Sequence, residues 1–496
     1  MSTKPIIRKS VEKLGTEALV SITSLLAYSK PLRHTFLNTA QKYIQDARTP
    51  ARPGLPRPAG VIEDRTKFSS AIWNTADRIL SHNLSRPVMR NVARNLVGGI
   101  MVEGGQQTVM SQFHDQYGTN PPGFLVLSPG KACNLHCTGC YASAGADAEK
   151  LDWNTVDRII TEAKTLWGLR FIVISGGEPL AYRSEGKGIL DAVEKNPDIF
   201  FLMYTNGILI DDAMSKRMAE LGNITPAISV EGWRSRTDER RGAGVYDKAL
   251  EAMAKLRHAG VPFGISLTAT RNNVEEIFSD EFIDFFFEKQ GALYGWLFHY
   301  MPIGRSYTLD LMPTPEQRVW MWKRVWEIIQ ERHIFLADFW NHGTLSDGCL
   351  AAGRTDGGGY LYIDWNGAVS PCVFVPYSPM DIREVYANGG TLNNVWDNPF
   401  FSGIRNWQGT YRKEKGNWLA PCIIRDHHRD LRNLIAQHEP EPTDENARKA
   451  LLDPGYARGM DEYDAAYQNL SAPLWEKYYI QPNGHNDGHE RPLPES

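Results

Sequence analysis

Two rhythms of apolar residues divide this chain. Before residue 118 they recur every third or fourth position: Val11, Leu14, Ala18, Ile22 and Leu25, then Leu32, Phe36, Ala40 and Tyr43, then Phe68, Ile72, Ala76 and Ile79. That is the period of an amphipathic helix, so residues 1–118 are predicted as a helical extension whose apolar stripe packs on the body of the protein. The proline-rich segment 49–58 interrupts it as a loop or linker. The glycine-rich stretch 98–105 lacks the Lys-Ser/Thr that completes a phosphate loop, and reads as a helix break or a close-packing site.

From about residue 122 the rhythm changes. Short apolar runs at 124–127, 171–174, 200–204, 227–230, 263–267 and 296–300 alternate with helical patterns at 155–167, 212–221, 246–259 and 274–290. Strand–helix alternation predicts parallel pairing with the helices outside. Six such units give an α/β fold, a partial (β/α)6 TIM-like barrel open on one side, with functional residues expected at the carboxyl ends of the strands. Residues 313–332 are predicted as a further helix, whose Trp320, Trp322 and Trp326 belong to packing rather than chemistry.

Composition changes this picture little, and charge changes it more. With 496 residues, 42% hydrophobic and 23% charged, the chain is an ordinary globular protein with room for roughly two to four structural units. Its net charge of -4 is uneven: residues 1–118 hold 16 Lys/Arg against 8 Asp/Glu, whereas from residue 430 onward 13 acidic residues face 6 basic ones. The expected organisation is a basic helical extension (1–118), the barrel (119–335), a small cysteine-bearing region (336–430) and an acidic tail (431–496). In that tail, 439–445 and 481–496 are expected as loops, with Trp475, Tyr478 and Tyr479 anchoring a last helix. No secretory leader is legible after Met1, and no run of 18 uncharged apolar residues occurs. A cytoplasmic setting is expected. The basic helices either pack on the barrel or touch the inner membrane face peripherally. Nucleic acid is not expected as a partner.

The chemistry concentrates after the first strand. Lys131 to Tyr141 contains Cys133, Cys137 and Cys140, three of the six cysteines, spaced Cys-x3-Cys-x2-Cys. Three thiolates on one loop suit a [4Fe–4S] cluster with one iron left open to a small molecule. The alternative is a zinc site completed by His136, since closed zinc sites take four ligands. Thiolates of this kind also favour a reducing compartment. Further motifs follow at successive strand ends: Ser175-Gly-Gly-Glu-Pro179, Tyr204-Thr-Asn-Gly207, Ser229-Val-Glu-Gly232, an Arg-Gly loop around Arg241, and Thr270-Arg-Asn-Asn273. The glycines permit close approach of backbone to a ligand, Glu178 offers a carboxylate for an ammonium group, and the Arg241 guanidinium matches a carboxylate.

Together these segments resemble the radical S-adenosylmethionine (radical SAM) superfamily, over residues 122 to about 430. The resemblance implies that Cys133, Cys137 and Cys140 hold a [4Fe–4S] cluster whose open iron chelates S-adenosylmethionine. It further implies that Gly176, Gly177, Glu178, Thr205, Asn206, Ser229 and Arg241 hold that nucleoside. Two departures stand out: Gly139 precedes the last cysteine where the family usually has an aromatic residue, and Glu231 replaces the usual Asp of Ser-x-Asp-Gly. Glu231 and Tyr300, which ends the sixth strand beside His299, are weak candidates for a catalytic role, with a packed core tyrosine as the alternative for Tyr300.

Cys349, Cys372 and Cys422 lie beyond the barrel, Cys372 after a predicted β-hairpin with an Asn366-Gly367 turn. This group is similar to the SPASM/Twitch extension of a radical SAM subset, which implies one auxiliary [4Fe–4S] cluster. The usual further cysteines are missing, so a fourth ligand would come from Asp426, His427 or His428, or the site would stay open to substrate. Three buried structural thiols are the alternative. The expected activity is reductive cleavage of S-adenosylmethionine to a 5′-deoxyadenosyl radical that takes hydrogen from a substrate, either a peptide or protein or a hydrophobic, lipid-like molecule. An external donor such as flavodoxin or ferredoxin would supply the electron. The rival expectation is an iron–sulfur scaffold or electron carrier without turnover.

Overall fold

The structure is a computed structural model that describes residues 29–35, 37–38, 57–81, 84–91, 104–146, 149–414 and 416–481. The predicted stripe at 11–25, most of that at 32–43, and most of the 49–58 and 98–105 segments lie outside the described residues.

Strands β1 (Phe124–Leu127), β2 (Phe171–Ile174), β3 (Phe200–Thr205), β4 (Ile224–Val230), β5 (Gly264–Ala269) and β6 (Tyr294–His299) are the six read from the sequence. Three more join them: β7 (Phe335–Asp338), β8 (Tyr360–Ile363) and β9 (Val369–Ser370). The sheet order is β7-β6-β5-β4-β3-β2-β1-β8-β9, parallel throughout except for the β8–β9 hairpin. The end strands β7 and β9 do not pair with each other, so the barrel stays open. The barrel expectation thus holds, with the sheet extended at both edges. The predicted hairpin exists, and its first strand is also a barrel strand: Leu125 of β1 lies opposite Leu361 of β8. The second cysteine region therefore grows out of the same sheet as the first.

Both faces of these strands are apolar, as buried parallel sheets require. Leu125, Ile172, Phe201, Ile228, Ile265 and Leu297 are fully buried in the main core. Helix Trp153–Leu166 shows how the outer layer is set: Asp152 caps it by accepting from Thr155 N at 2.9 Å, and Val156, Ile159, Ile160 and Ala163 form its buried stripe. The pattern at 274–290, predicted as one helix, is broken into Val274–Ile277, Asp280–Ile283 and a wide turn Asp284–Lys289, because Ser279 caps a new start by accepting from Phe282 N.

Helix Ala59–Ser81 packs against β7 and its neighbours with Phe68 and Ala76 of the predicted stripe turned inward, but Ile72 is not. Val61, Ala71 and Leu80 are fully buried whereas Ile72 is 44% exposed. A buried carboxylate fixes the register: Asp64 accepts from Thr344 Oγ1 and from Tyr479 Oη, each at 2.8 Å. Beyond residue 430 the chain forms helices His428–His438, Glu445–Leu452 and Pro454–Trp475, the last packed against Pro315–Arg332, and Trp475, Tyr478 and Tyr479 are buried. Trp322 and Trp326 are core residues. Among the described residues no helix is long and apolar enough to cross a membrane.

Candidate functional site

The carboxyl ends of the strands surround a cavity of about 320 Å³. It is lined by Cys133, Cys137 and Cys140 together with Gly176, Gly177, Thr205, Asn206, Ser229, Arg240, Arg241 and Tyr300. Of the nucleoside-site residues read from the sequence, only Glu178 is not in its wall.

The cysteine loop is held by backbone contacts with the strand ends. Gly177 N donates to Gly130 O at 3.0 Å and Glu178 N to Ala132 O at 2.8 Å. A Cβ on Gly177 would sit 2.2 Å from Lys131 O, and one on Gly176, whose φ is +122°, 2.6 Å from Gly130 O. The two glycines are thus required by the approach of the cysteine loop itself, and not only by that of a ligand. Tyr141 Oη shares a hydrogen bond with Ser175 Oγ and accepts from Gly176 N at 3.3 Å.

Glu178 lies just beneath the wall. Its Oε1 accepts from Thr205 Oγ1 at 2.7 Å and Leu180 N at 3.1 Å, and its Oε2 accepts from Asn206 N at 2.9 Å. Burial raises its pKa against those hydrogen bonds. Two of its four acceptor positions brace β2 to β3 and a third caps the local turn at Leu180, which leaves one on Oε2 for another donor. Asn206 reaches back to the cysteine loop, donating to Asn134 Oδ1 at 2.8 Å.

Glu231 has a different partner set than expected. Its Oε1 accepts from both Arg240 and Arg241, the latter through Nε at 2.7 Å, and its Oε2 accepts from Thr268 N at 3.2 Å. The longer arm of Glu thus gathers two guanidiniums, and the trio keeps one positive charge beside the cavity. Arg240, which sequence reasoning missed, also ties in the cysteine loop, since its carbonyl accepts from Thr138 N at 2.9 Å. Burial lowers the Arg241 pKa, yet Glu231 and the thiols Cys137 and Cys140 raise it overall. Glu231 accepts four hydrogen bonds, three of them from the two arginines.

Tyr300 explains Gly139. Its ring lies where a Cβ on Gly139 would be, 2.5 Å from Cε2, so the residue before the last cysteine must be glycine. Its Oη donates to Ser306 O at 2.8 Å and burial pushes its pKa up to about 12, the description of a packed tyrosine. His136, the fourth ligand of the zinc alternative, lies 2.9 Å from Arg305 Nη1 instead.

All six cysteines are free. Among the described residues no group of three or more His, Cys, Asp or Glu is gathered tightly enough for a single metal ion. Three cavity-lining thiols that neither pair nor close around one ion fit a cubane, which spreads its ligands over separate irons. Burial raises Cys133 to about 11, so deprotonation here needs a metal charge close by. A cationic trio and an anionic Glu178 flank the thiols, a fit to a zwitterionic amino-acid group.

The second cysteines converge as well: Cys349 and Cys372 each act electrostatically on Cys422, whose pKa burial raises, and burial pushes Cys372 up to about 12. Tyr360 Oη lies 2.8 Å from Cys372 Sγ. The three fourth-ligand candidates differ. Asp426 is locked in a fully buried ion pair with Arg318, Nη2 to Oδ2 at 3.0 Å, and accepts from Cys422 N. His427 Nε2 is 2.9 Å from Ala420 O. His428 keeps Nε2 without a partner among the described residues.

A parallel, open barrel with a thiol triad and charge-complementary brackets at its strand ends is the frame of a cluster-dependent enzyme. The family model described as Radical SAM superfamily matches residues 127–279. That stretch is a radical SAM domain, and the enzymes built on it use a [4Fe–4S] cluster and S-adenosylmethionine as cofactors. It is similar to the AdoMet-dependent heme synthase of Methanosarcina barkeri, 24% identical over 322 residues, 56% of this chain and 83% of that protein. It is also similar to the sporulation killing factor maturation protein SkfB of Bacillus subtilis, 26% identical over 149 residues, 29% of this chain and 35% of that one. The fold matches the crystal structure of Streptococcus suis SuiB bound to precursor peptide SuiA, with a TM-score of 0.50 and 20% identity, over 64% of this chain and 72% of that chain.

Proposed function

We propose that this enzyme takes hydrogen from an apolar substrate held inside the barrel, and that its second cysteine group holds an auxiliary cluster. The observation that carries the substrate reading is the apolar part of the wall: Val126, Val173, Leu202, Tyr204, Trp296, Phe298, Phe339 and Phe374 line the cavity. Its only cations among the described lining residues are Arg240 and Arg241, both on Glu231. A wall of this kind binds by apolar burial and aromatic contact, and rejects a charged chain that would lose its hydration.

When bound, the cluster and S-adenosylmethionine supply a 5′-deoxyadenosyl radical. The chain's own part is binding, orientation and exclusion of water. Cys133, Cys137 and Cys140 hold the cluster. Gly176, Gly177, Thr205, Asn206 and Ser229 form the nucleoside wall, Glu178 keeps one acceptor for its ammonium group, and Glu231 holds Arg240 and Arg241 for its carboxylate. The aromatic side chains keep the substrate dry and close. For the second group, Cys349, Cys372 and Cys422 are the ligands, and His428 is the open candidate for a fourth because its Nε2 has no partner among the described residues. The basic amino-terminal residues would hold the enzyme at an anionic membrane face, where a lipid-like substrate resides.

A peptide substrate is the second reading, and the similarity to SkfB favours it. Anaerobic incubation of the reconstituted enzyme with dithionite, S-adenosylmethionine and separate pools distinguishes the two. A lipid or tetrapyrrole extract should raise 5′-deoxyadenosine formation and yield a new product by mass spectrometry. Stimulation by peptides alone would overturn the apolar reading.

A further inference from the structure

One side chain in the cavity wall is out of keeping with its apolar surroundings. His299 ends β6, lines the cavity and is 1% exposed. Its Nε2 lies 3.0 Å from Asp338 Oδ2, its ring stacks on Trp340 with centroids 5.3 Å apart, and its Nδ1 has no partner among the described residues. Asp338 at the end of β7 is fully engaged as an acceptor, taking Trp340 N and Asn341 N on Oδ1, each at 3.0 Å, and Asn341 Nδ2 on Oδ2 at 2.9 Å. A carboxylate so placed stays ionised, so the imidazole must donate through Nε2, and its other nitrogen is then a bare acceptor. The arrangement is braced from behind, since Asn341 Oδ1 accepts from Arg318 Nε at 3.2 Å. The imidazole stays neutral at ordinary pH: burial, against the opposing charge of Asp338 and with Arg425 and Arg318 adding to it, lowers its pKa to about 4.

We propose that His299 Nδ1 binds a hydrogen-bond donor of the substrate, with Asp338 as the positioning residue that fixes the imidazole tautomer. The substrate is then an apolar molecule that carries a hydroxyl or amine N–H group. This rests on the apolar reading of the cavity and narrows it. A buried acceptor left unmatched costs affinity, so a molecule that supplies the donor is favoured over an otherwise equal one that does not.

The test uses reconstituted holoenzyme with S-adenosylmethionine bound, and equilibrium dialysis of three probes: 1-octanol, 1-methoxyoctane and octane. The wild type should bind the alcohol about tenfold more tightly than the ether. His299→Phe should bind the two alike while still holding octane, which shows that the cavity is intact. In Asp338→Asn the new amide donates to Nε2 and moves the imidazole proton to Nδ1, so the preference should turn toward the ether. Equal binding of alcohol and ether by the wild type, or an undiminished preference in His299→Phe, would overturn the proposal. Should octane and both analogues fail to bind at all, the apolar reading itself falls, and this inference with it.

Discussion

The two cysteine triads are built by opposite means. Cys133, Cys137 and Cys140 share one loop, and long-range contacts serve only to hold that loop against the strand ends, through Gly177, Glu178 and Arg240. Cys349, Cys372 and Cys422 come from distant segments and meet only because β8 joins the barrel sheet beside β1 and Asp426 pairs with Arg318. The first triad lines the cavity itself; of the second, Cys372 lies against Tyr360 Oη and Phe374 N, two residues that line the same cavity. A locally encoded triad is suited to a cofactor that must be open to a small molecule. A triad assembled by the fold belongs to the packing around it.

The comparison breaks most sharply by mutation of the ligands. Cys133→Ala, Cys137→Ala or Cys140→Ala should abolish 5′-deoxyadenosine formation by the anaerobic, dithionite-reduced enzyme. Cys372→Ala should leave that cleavage measurable while lowering substrate product. Product chromatography reads both, and loss of cleavage in Cys372→Ala would make the triads one functional unit.

Next in size is the charge bracket. Glu231→Gln leaves two largely buried arginines without their carboxylate partner, and loss of one partner of a buried pair costs roughly 3–5 kcal/mol. Denaturant titration should show that loss, together with weaker S-adenosylmethionine binding. An unchanged midpoint and affinity would mean that Arg240 and Arg241 do not depend on Glu231.

A smaller effect comes from acid. His299 in the cavity wall and His428, packed against Tyr456, both have pKa values lowered to about 4, chiefly by burial. The folded state therefore binds their protons less readily than the unfolded chain, whose imidazoles titrate near the ordinary 6.5. Their stabilisation is present above that value and is lost as pH falls toward 4, on the order of 2–3 kcal/mol for each. Unfolding midpoints measured across this window should fall with pH, and His299→Phe should flatten the slope. A slope unaffected by that change would remove the buried imidazole from the account.

How much of this was legible in the sequence follows from the same contrast. The cysteine loop, the glycine pair and the strand-end motifs are local. What could not be read depended on distant partners. The four-residue runs at 335–338 and 360–363 carry no period that assigns them to the barrel sheet, and only their pairing with β6 and β1 does so. Ile72 looked like a core residue, but the face of its helix is chosen by Asp64, which meets Thr344 and Tyr479. Gly139 departs from the family pattern because Tyr300 fills its space. Glu231 resembled a lengthened aspartate, and its two arginine partners supply the reason for the length.

The central claim is that the first triad, without help from the second, holds a cluster with one iron open to S-adenosylmethionine. Electron paramagnetic resonance of the reduced triple variant Cys349→Ala, Cys372→Ala and Cys422→Ala, with and without S-adenosylmethionine, tests it most directly. The account predicts about four irons per chain and a [4Fe–4S] signal that shifts when S-adenosylmethionine is added. A signal indifferent to that addition, or a protein carrying zinc in place of iron, would contradict it.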